Sequence, residues 1–254
     1  MNSILLCLIG IIIPFVGTSL GSSFVFFLKK SINAYYHKLM IGFAIGVMIA
    51  ASIWSLIIPS IEIAQNDGII SWIPAFIGFF LGIIFLIFID KFANKIESVC
   101  TGRSLNMLIF SVTIHNIPEG MAVGVCFAGF LANNVGLELM SAMMISIGIA
   151  IQNIPEGAII SMPLKLEGKS RGKSFLYGVL SGVVEPIAAI ITILLINFVV
   201  PIMPYLLSFA AGAMIYVVIE ELVPEMHYNK NSCLGIIGVG IGFSLMMILD
   251  IALG

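Results

Sequence analysis

The sequence predicts an all-α integral membrane protein with eight transmembrane helices. Of its 254 residues, 60% are hydrophobic and 9% are charged, and the mean hydropathy is +1.18. A soluble domain carries far more charge than this. Apolar runs of about 20 residues, the length at which a helix crosses a bilayer, recur along the chain. The net charge of −2 gives no reason to expect a nucleic-acid partner.

Each predicted span is an apolar run that stops where charged or turn-forming residues begin. Together the runs use almost the whole chain, so we expect one transmembrane domain of residues 1–254 and no soluble domain. In chain order the predicted spans are Ile4–Leu28, His37–Ala64, Ser71–Ile89, Ser104–Leu131, Val135–Leu164, Lys173–Val200, Ile202–Glu225 and Ser232–Gly254.

The basic residues orient these spans. All 11 Lys and Arg fall on one face, in the connections after spans one, three, five and seven. Because cytoplasmic loops carry the excess of Lys and Arg, this face is predicted to be cytoplasmic. Both termini then lie outside, and we expect a multi-pass protein of the plasma or inner membrane.

A polar motif occurs twice inside this apolar sequence. A carboxylate, an amide and a helix-breaking proline are costly in a hydrocarbon environment, so they predict a partner that offsets the cost. A cation is the simplest such partner. The two copies are His115-Asn116-Ile117-Pro118-Glu119-Gly120 in span four and Gln152-Asn153-Ile154-Pro155-Glu156-Gly157 in span five.

Helical spacing turns the motif into a predicted metal site. Positions i, i+1 and i+4 share one helical turn, so each copy presents a cluster of donors. Glu185, which also precedes a proline, lies at a similar depth, on the order of 12–18 Å from the cytoplasmic face. One imidazole, three carboxylates and three amides form an oxygen-rich divalent-metal site, which holds two ions if Glu119 and Glu156 bridge. The predicted donors are His115, Asn116, Glu119, Gln152, Asn153, Glu156 and Glu185.

An internal repeat predicts how the spans are arranged. Ala44–Ile49 of span two matches Ala210–Ile215 of span seven, and these spans run in opposite directions. The two motif spans are antiparallel as well. Many transporters use such inverted repeats. The predicted arrangement is 3+2+3, with two central spans between two inverted groups of three.

Alternatives remain for the individual acids. Any one buried glutamate is also explained by a protonated side chain that hydrogen-bonds a neighbouring helix, although this explains the whole group less well. A cluster at the inner end of span seven is either an exit route or a solvated helix end, and it contains Glu220, Glu221, Glu225 and His227. Glu62, at the outer end of span two, is either an entrance residue or a surface carboxylate.

The motifs identify a resemblance to the ZIP (Zrt-, Irt-like) family of divalent metal transporters, in its GufA-like bacterial branch. The matching residues are the two copies of the motif, Gly182-Val183-Val184-Glu185-Pro186 and Glu220-Glu221-Leu222-Val223-Pro224-Glu225. The resemblance covers the whole chain. It implies eight helices, a homodimer in the lipid bilayer, and uptake of zinc toward the cytoplasm by elevator-like alternating access. Cd²⁺, Fe²⁺ and Mn²⁺ are further expected substrates.

The resemblance also implies two adjoining metal positions. The main position uses His115, Glu119, Gln152 and Glu156, and the second uses Asn116, Glu119, Asn153, Glu156 and Glu185. Two residues depart from common family patterns: Gln152 stands where many members have histidine, and Asn153 where some have aspartate. The first departure weakens the preference for nitrogen ligands, and the second removes a negative charge from the second position.

Two other functions use similar residues. An intramembrane metalloenzyme needs buried His and acidic ligands, but a zinc protease carries His-Glu-x-x-His, which this chain lacks. A passive divalent cation channel is the second alternative, although ligands strong enough to retain a transition metal fit poorly with a continuous pore. We therefore expect a transporter and not an enzyme.

Overall fold

The computed structural model describes residues 3–27, 34–99, 105–132, 138–166, 168–227 and 233–253. The described residues form helices and turns, with no β-strand among them. The predicted span ends at Leu28, Ser104, Val135, Ser232 and Gly254 lie outside these ranges.

The α-helices are numbered here in chain order. Two π-helices, Ser52–Ile57 and Val218–Leu222, lie between α2 and α3 and between α10 and α11. The α-helices are α1 Ser3–Ser23, α2 Ala34–Ala51, α3 Ile58–Asn66, α4 Trp72–Val99, α5 Leu105–Leu131, α6 Leu139–Leu166, α7 Arg171–Gly182, α8 Val184–Leu194, α9 Ile196–Val199, α10 Met203–Val217, α11 Val223–His227 and α12 Cys233–Leu253.

Most predicted spans match helices of membrane-crossing length. By length and composition, seven helical stretches within the described residues qualify as spans, and Asn116–Leu131 of α5 forms a shorter apolar helix. A multi-pass, almost entirely helical membrane protein is therefore confirmed. The largest buried side chains, among them Phe127, Leu207 and Met214, fill the space between the central helices.

The π-helices interrupt the second and seventh predicted spans, and two further predicted spans differ from the observed helices. α4 continues from the predicted end at Ile89 to Val99, because a helix can extend into polar sequence beyond the apolar core that hydropathy detects. The sixth span is interrupted at Val183, between α7 and α8. Pro186 lacks the backbone N–H that would bond the Gly182 carbonyl, which accounts for the break.

Two helix pairs, α2 with α12 and α4 with α10, pack through glycines. A Cβ built on any of these glycines would stand 2.0–2.4 Å from a carbonyl oxygen of the facing helix, so a side chain there has no room. Each of the three such contacts between α4 and α10 recurs between α2 and α12, at nearly the same distance from the built Cβ to the carbonyl oxygen. The matched contacts are Gly78 to Tyr205 and Gly238 to Leu39, Gly82 to Phe209 and Gly242 to Phe43, and Gly212 to Phe79 and Gly46 to Val239.

The repetition extends beyond the glycines. Asp90 lies eight residues after Gly82, and Asp250 lies eight residues after Gly242. Both acids accept a hydrogen bond from the span they face: Tyr216 Oη of α10 donates to Asp90 Oδ2 (2.6 Å), and Ser55 Oγ of the π-helix after α2 donates to Asp250 Oδ1 (2.7 Å). The two π-helices begin six residues after Gly46 and Gly212 respectively. The two pairs therefore share one packing plan.

Replacing Gly242 by alanine should destabilise the fold, because the new Cβ would stand 2.1 Å from the Phe43 carbonyl oxygen and force α2 and α12 apart. We expect a loss of about 1–3 kcal/mol, the usual cost of overpacking. Thermal unfolding in detergent, followed by tryptophan fluorescence, measures it.

Gly240→Ala is the matched control, since a Cβ at Gly240 in the same helix meets nothing within 4 Å. Alanine favours a helix over glycine by about 1 kcal/mol, so this variant should be as stable as the parent or slightly more stable. Equal destabilisation by the two variants would show that close packing at Gly242 is unimportant.

Candidate metal site

The two motif helices, α5 and α6, each continue through their proline, Pro118 and Pro155. The glycine after each motif glutamate lets a neighbouring helix approach closely. A Cβ on Gly120 would stand 2.3 Å from the Glu185 carbonyl oxygen of α8, and one on Gly157 would stand 2.1 Å from the Thr18 carbonyl oxygen of α1. The sequence of the motif thus places α8 beside Glu119 and α1 beside Glu156.

Five of the seven predicted donors are buried. The exposed fraction of each side chain is at most 3%, which for charged and amide groups demands compensation. Glu156 is half-buried, and its carboxylate lies close enough to those of Glu119 and Glu185 for electrostatic repulsion. The buried donors are Asn116, Glu119, Gln152, Asn153 and Glu185.

The Glu119 carboxylate is held from across the helix pair. Gln152 Nε2 of α6 donates to Glu119 Oε1 at 2.5 Å. This bond joins the two copies of the motif and orients the Gln152 amide. Within the part of the chain that the structure describes, Glu119 Oε2 and Gln152 Oε1 have no hydrogen-bond partner.

The Glu185 carboxylate is held in the same way by two donors. Thr18 Oγ1 of α1 donates to Glu185 Oε1 at 2.9 Å, and Asn116 Nδ2 of α5 donates to the same oxygen at 3.1 Å. Asn116 Nδ2 also reaches the Ser181 carbonyl at 3.3 Å. Among the described residues, Glu185 Oε2 and Asn116 Oδ1 have no hydrogen-bond partner.

Unpartnered oxygen atoms are concentrated at this place. Of nine buried side-chain polar atoms that lack a hydrogen-bond partner in the described residues, six belong to the five buried donors. Five of those six are oxygens, and each one left unsatisfied costs roughly 1–3 kcal/mol. The oxygens are Asn116 Oδ1, Glu119 Oε2, Gln152 Oε1, Asn153 Oδ1 and Glu185 Oε2.

Such oxygens suit a cation, since carboxylates and amide carbonyls are its ordinary oxygen ligands. Within the described residues, no three His, Cys, Asp or Glu side chains form a group that could hold a metal ion. Amide oxygens of Asn116, Gln152 and Asn153 lie beside the carboxylates as further oxygen donors. His115 lies on α5 one turn before Glu119, and its side chain falls outside the described part of the chain.

The predicted exit and entrance residues lie at the ends of other helices. Glu220 and Glu221 belong to the second π-helix, and Glu225 belongs to α11, where its Oε1 lies 3.5 Å from Nε2 of His37. His227 ends α11, and its side chain is not described. Glu62 is exposed on α3. None of these positions decides between a route for ions and a solvated helix end.

Sequence reasoning missed Thr18 and His37. A lone threonine in an apolar run gives no signal of its own, and only the packing of α1 on α6 and α8 reveals its contact with Glu185. His37 begins the second predicted span and gives no sequence signal of a partner, and in the structure its Nε2 lies 3.5 Å from Glu225 Oε1. The one sequence signal was the pair of small residues Gly17 and Gly21 around Thr18, which marks a close helix contact.

Comparison with known proteins also indicates metal transport. A family model described as ZIP zinc transporter matches residues 98–250. The chain is 32% identical to zinc transporter ZIP11 of Xenopus tropicalis, over 100% of this chain and 98% of that protein. It is 35% identical to zinc transporter ZIPB of Bordetella bronchiseptica, over 94% and 79% of the two chains. It is 32% identical to zinc transporter GufA of Myxococcus xanthus, over 79% and 81%.

These relatives are transporters and not enzymes, and they resemble this chain along most of its length. The family model covers more than half of the chain. The membrane-spanning helices and the buried oxygens on α5, α6 and α8 agree with transport of divalent metal. This chain is therefore a member of the ZIP family of zinc transporters.

Proposed function

We propose that the protein carries zinc across the membrane toward the cytoplasm by alternating access through the site between α5, α6 and α8. The observation that supports this most is the group of five buried oxygens without hydrogen-bond partners. Hydrogen bonds within the protein satisfy one oxygen of Glu119 and one oxygen of Glu185. The transported ion binds the second oxygen of each carboxylate. The alternative of simply protonated, hydrogen-bonded glutamates leaves the amide oxygens unexplained.

The donors divide into two adjoining positions. The main position takes His115, Glu119, Gln152 and Glu156, and the second takes Asn116, Glu119, Asn153, Glu156 and Glu185. Gln152 supports this division, because its nitrogen is committed to Glu119 and its oxygen stays available. Cd²⁺, Fe²⁺ and Mn²⁺ are further substrates, since this donor set does not select sharply among them.

We propose the 3+2+3 inverted repeat as the architecture behind alternating access. The matched glycine contacts of α2 with α12 and of α10 with α4 support it. The site helices form a second group, in which α1 packs on α6 and α8 packs on α5. Movement of the second group against the first would expose the site to each side in turn, as in an elevator.

The orientation in the membrane, the oligomeric state and the entrance and exit residues are part of the same proposal. We place both termini outside, because all Lys and Arg lie on one face of the predicted spans. The plasma or inner membrane and a homodimer are what the family resemblance implies. The exposed apolar face of α4, with Phe76, Phe80 and Phe88, is suited to lipid and to a second copy. Glu62 serves as an entrance residue, and the exit route runs by Glu220, Glu221, Glu225 and His227.

Counterflow distinguishes a carrier from a channel. Proteoliposomes preloaded with unlabelled zinc should accumulate radioactive zinc transiently, and the rate of uptake should saturate with concentration. Because a carrier binds its cargo before each conformational change, both properties are expected here. Uptake that neither saturates nor shows counterflow would support the passive cation channel instead.

Replacing Glu119 or Glu156 by glutamine should leave a folded, inserted protein that takes up zinc at least tenfold more slowly. Each glutamate is proposed to contribute to both metal positions, and the amide carries no charge to balance the ion. Glu138→Gln is the matched control, because Glu138 is exposed and lies immediately before α6, away from the proposed site. Zinc uptake by either site variant at the control rate would contradict the assignment.

His115 should set the preference among metals, since it is the one nitrogen donor of the proposed main position. Replacement by aspartate should lower zinc and cadmium uptake relative to manganese, because imidazole suits zinc and carboxylates suit harder ions. Gln152→His should shift the ratio the other way. Competition between labelled zinc and manganese in proteoliposomes measures the ratio of zinc uptake to manganese uptake. An unchanged ratio in both variants would exclude His115 as a ligand.

A further inference from the structure

We propose that Thr18 is a positioning residue of the metal site, which fixes the Glu185 carboxylate so that its second oxygen faces the cargo. This role rests on the proposed function of Glu185 as a ligand. Thr18 lies on α1, outside the motifs, and its side chain is completely buried. Its hydroxyl gives the shorter of the two hydrogen bonds that Glu185 Oε1 accepts, 2.9 Å against 3.1 Å from Asn116.

Packing holds Thr18 in this place. Gly157 of α6 meets the backbone of Thr18, and a Cβ on Gly182 of α7 would stand 2.9 Å from the Thr18 Cβ. α6, which carries three of the proposed donors, and α7, which leads into α8 and Glu185, therefore both meet α1 at this position. The hydroxyl has one other acceptor within the described residues, the Pro14 carbonyl. At 3.5 Å this carbonyl is farther away than Glu185 Oε1, so the bond to Glu185 is the stronger one.

The repeated motif shows that Thr18 and Glu185 occupy equivalent positions. Gly120 of the first motif meets the Glu185 backbone, and Gly157 of the second meets the Thr18 backbone, at nearly the same distance. Where one neighbouring helix carries a carboxylate, the other carries a hydroxyl. The two side chains then meet each other directly.

This difference makes the site one-sided, because only one of the two neighbouring helices supplies a carboxylate. Asn116 donates to that carboxylate and also reaches the Ser181 carbonyl. A second carboxylate at position 18 would add a fourth acid to three that already repel one another. A threonine there instead donates to Glu185, so it orients an existing ligand without adding charge.

Zinc affinity tests this role. Thr18→Val keeps the shape of the side chain and removes the donor, so Glu185 loses its shorter hydrogen bond. Loss of a partner that orients a ligand typically weakens metal binding by about 10- to 100-fold. We expect the zinc Kd of the purified protein and the half-saturating zinc concentration for uptake to rise about tenfold or more. Thr18→Ser keeps the donor and should restore both.

Thr192→Val is the matched control, since Thr192 is also a buried threonine but donates to the Ala188 carbonyl of its own helix at 2.8 Å. A double variant tests whether Thr18 acts through Glu185. With Glu185→Gln already present, Thr18→Val should change the zinc Kd much less. If Thr18→Val does not fold, Thr18→Ala makes the same comparison.

An unchanged Kd in the donor-less variant, or equal weakening by valine and serine, would overturn the positioning role. Glu119→Gln separates this failure from that of the proposed function. If Glu119→Gln abolishes zinc binding while Thr18→Val leaves it intact, only the inference about Thr18 is wrong. If Glu119→Gln binds zinc normally, the site itself is wrong.

Discussion

Close contact between helix backbones is the constraint on which the rest of this structure depends. Where a glycine meets a carbonyl oxygen of the next helix, no side chain separates the two backbones. In the pairs α2–α12 and α4–α10 this packing builds the frame. At Gly120 and Gly157 it has a second consequence, because it brings Glu185 and Thr18 beside the motif glutamates. The chemistry of the site therefore depends on residues that carry no chemistry themselves.

The site combines satisfied and unsatisfied atoms in an ordered way. Glu119 and Glu185 each have one oxygen held by donors from another helix, which fixes the carboxylate. The other oxygen of each is buried without a partner. A protein gains stability by pairing such atoms, so leaving them open is a cost that a function must explain. Binding of a cation that is released again on the other side is such a function.

The sequence predicted much of this from a few strong signals. Long apolar runs located the spans, because a bilayer demands them. The duplicated motif singled out five polar residues on two helices that the structure buries or half-buries and that we propose as donors. Glu185 was found from its depth and its adjacent proline. The break at Val183 and the two π-helices were not predicted, because hydropathy records where a helix is apolar and not how its hydrogen bonds shift.

Thr18 could not be predicted, since its role arises from a contact 167 residues away in sequence. The matched contacts of Gly78 and Gly238 were visible only as two ordinary pairs of small residues until the facing helices were known. A pattern within one helix can be recognised in the sequence. A contact between two helices can be recognised only when their packing is known.

Anomalous diffraction from zinc-loaded crystals tests the central claim most directly, since it locates the metal without reference to activity. The account predicts a zinc peak between α5, α6 and α8, about 2.0–2.2 Å from Glu119 Oε2, with further oxygen ligands from the unpartnered atoms. Zinc bound only at the exposed helix ends, with those buried oxygens still unligated at saturating metal, would contradict it.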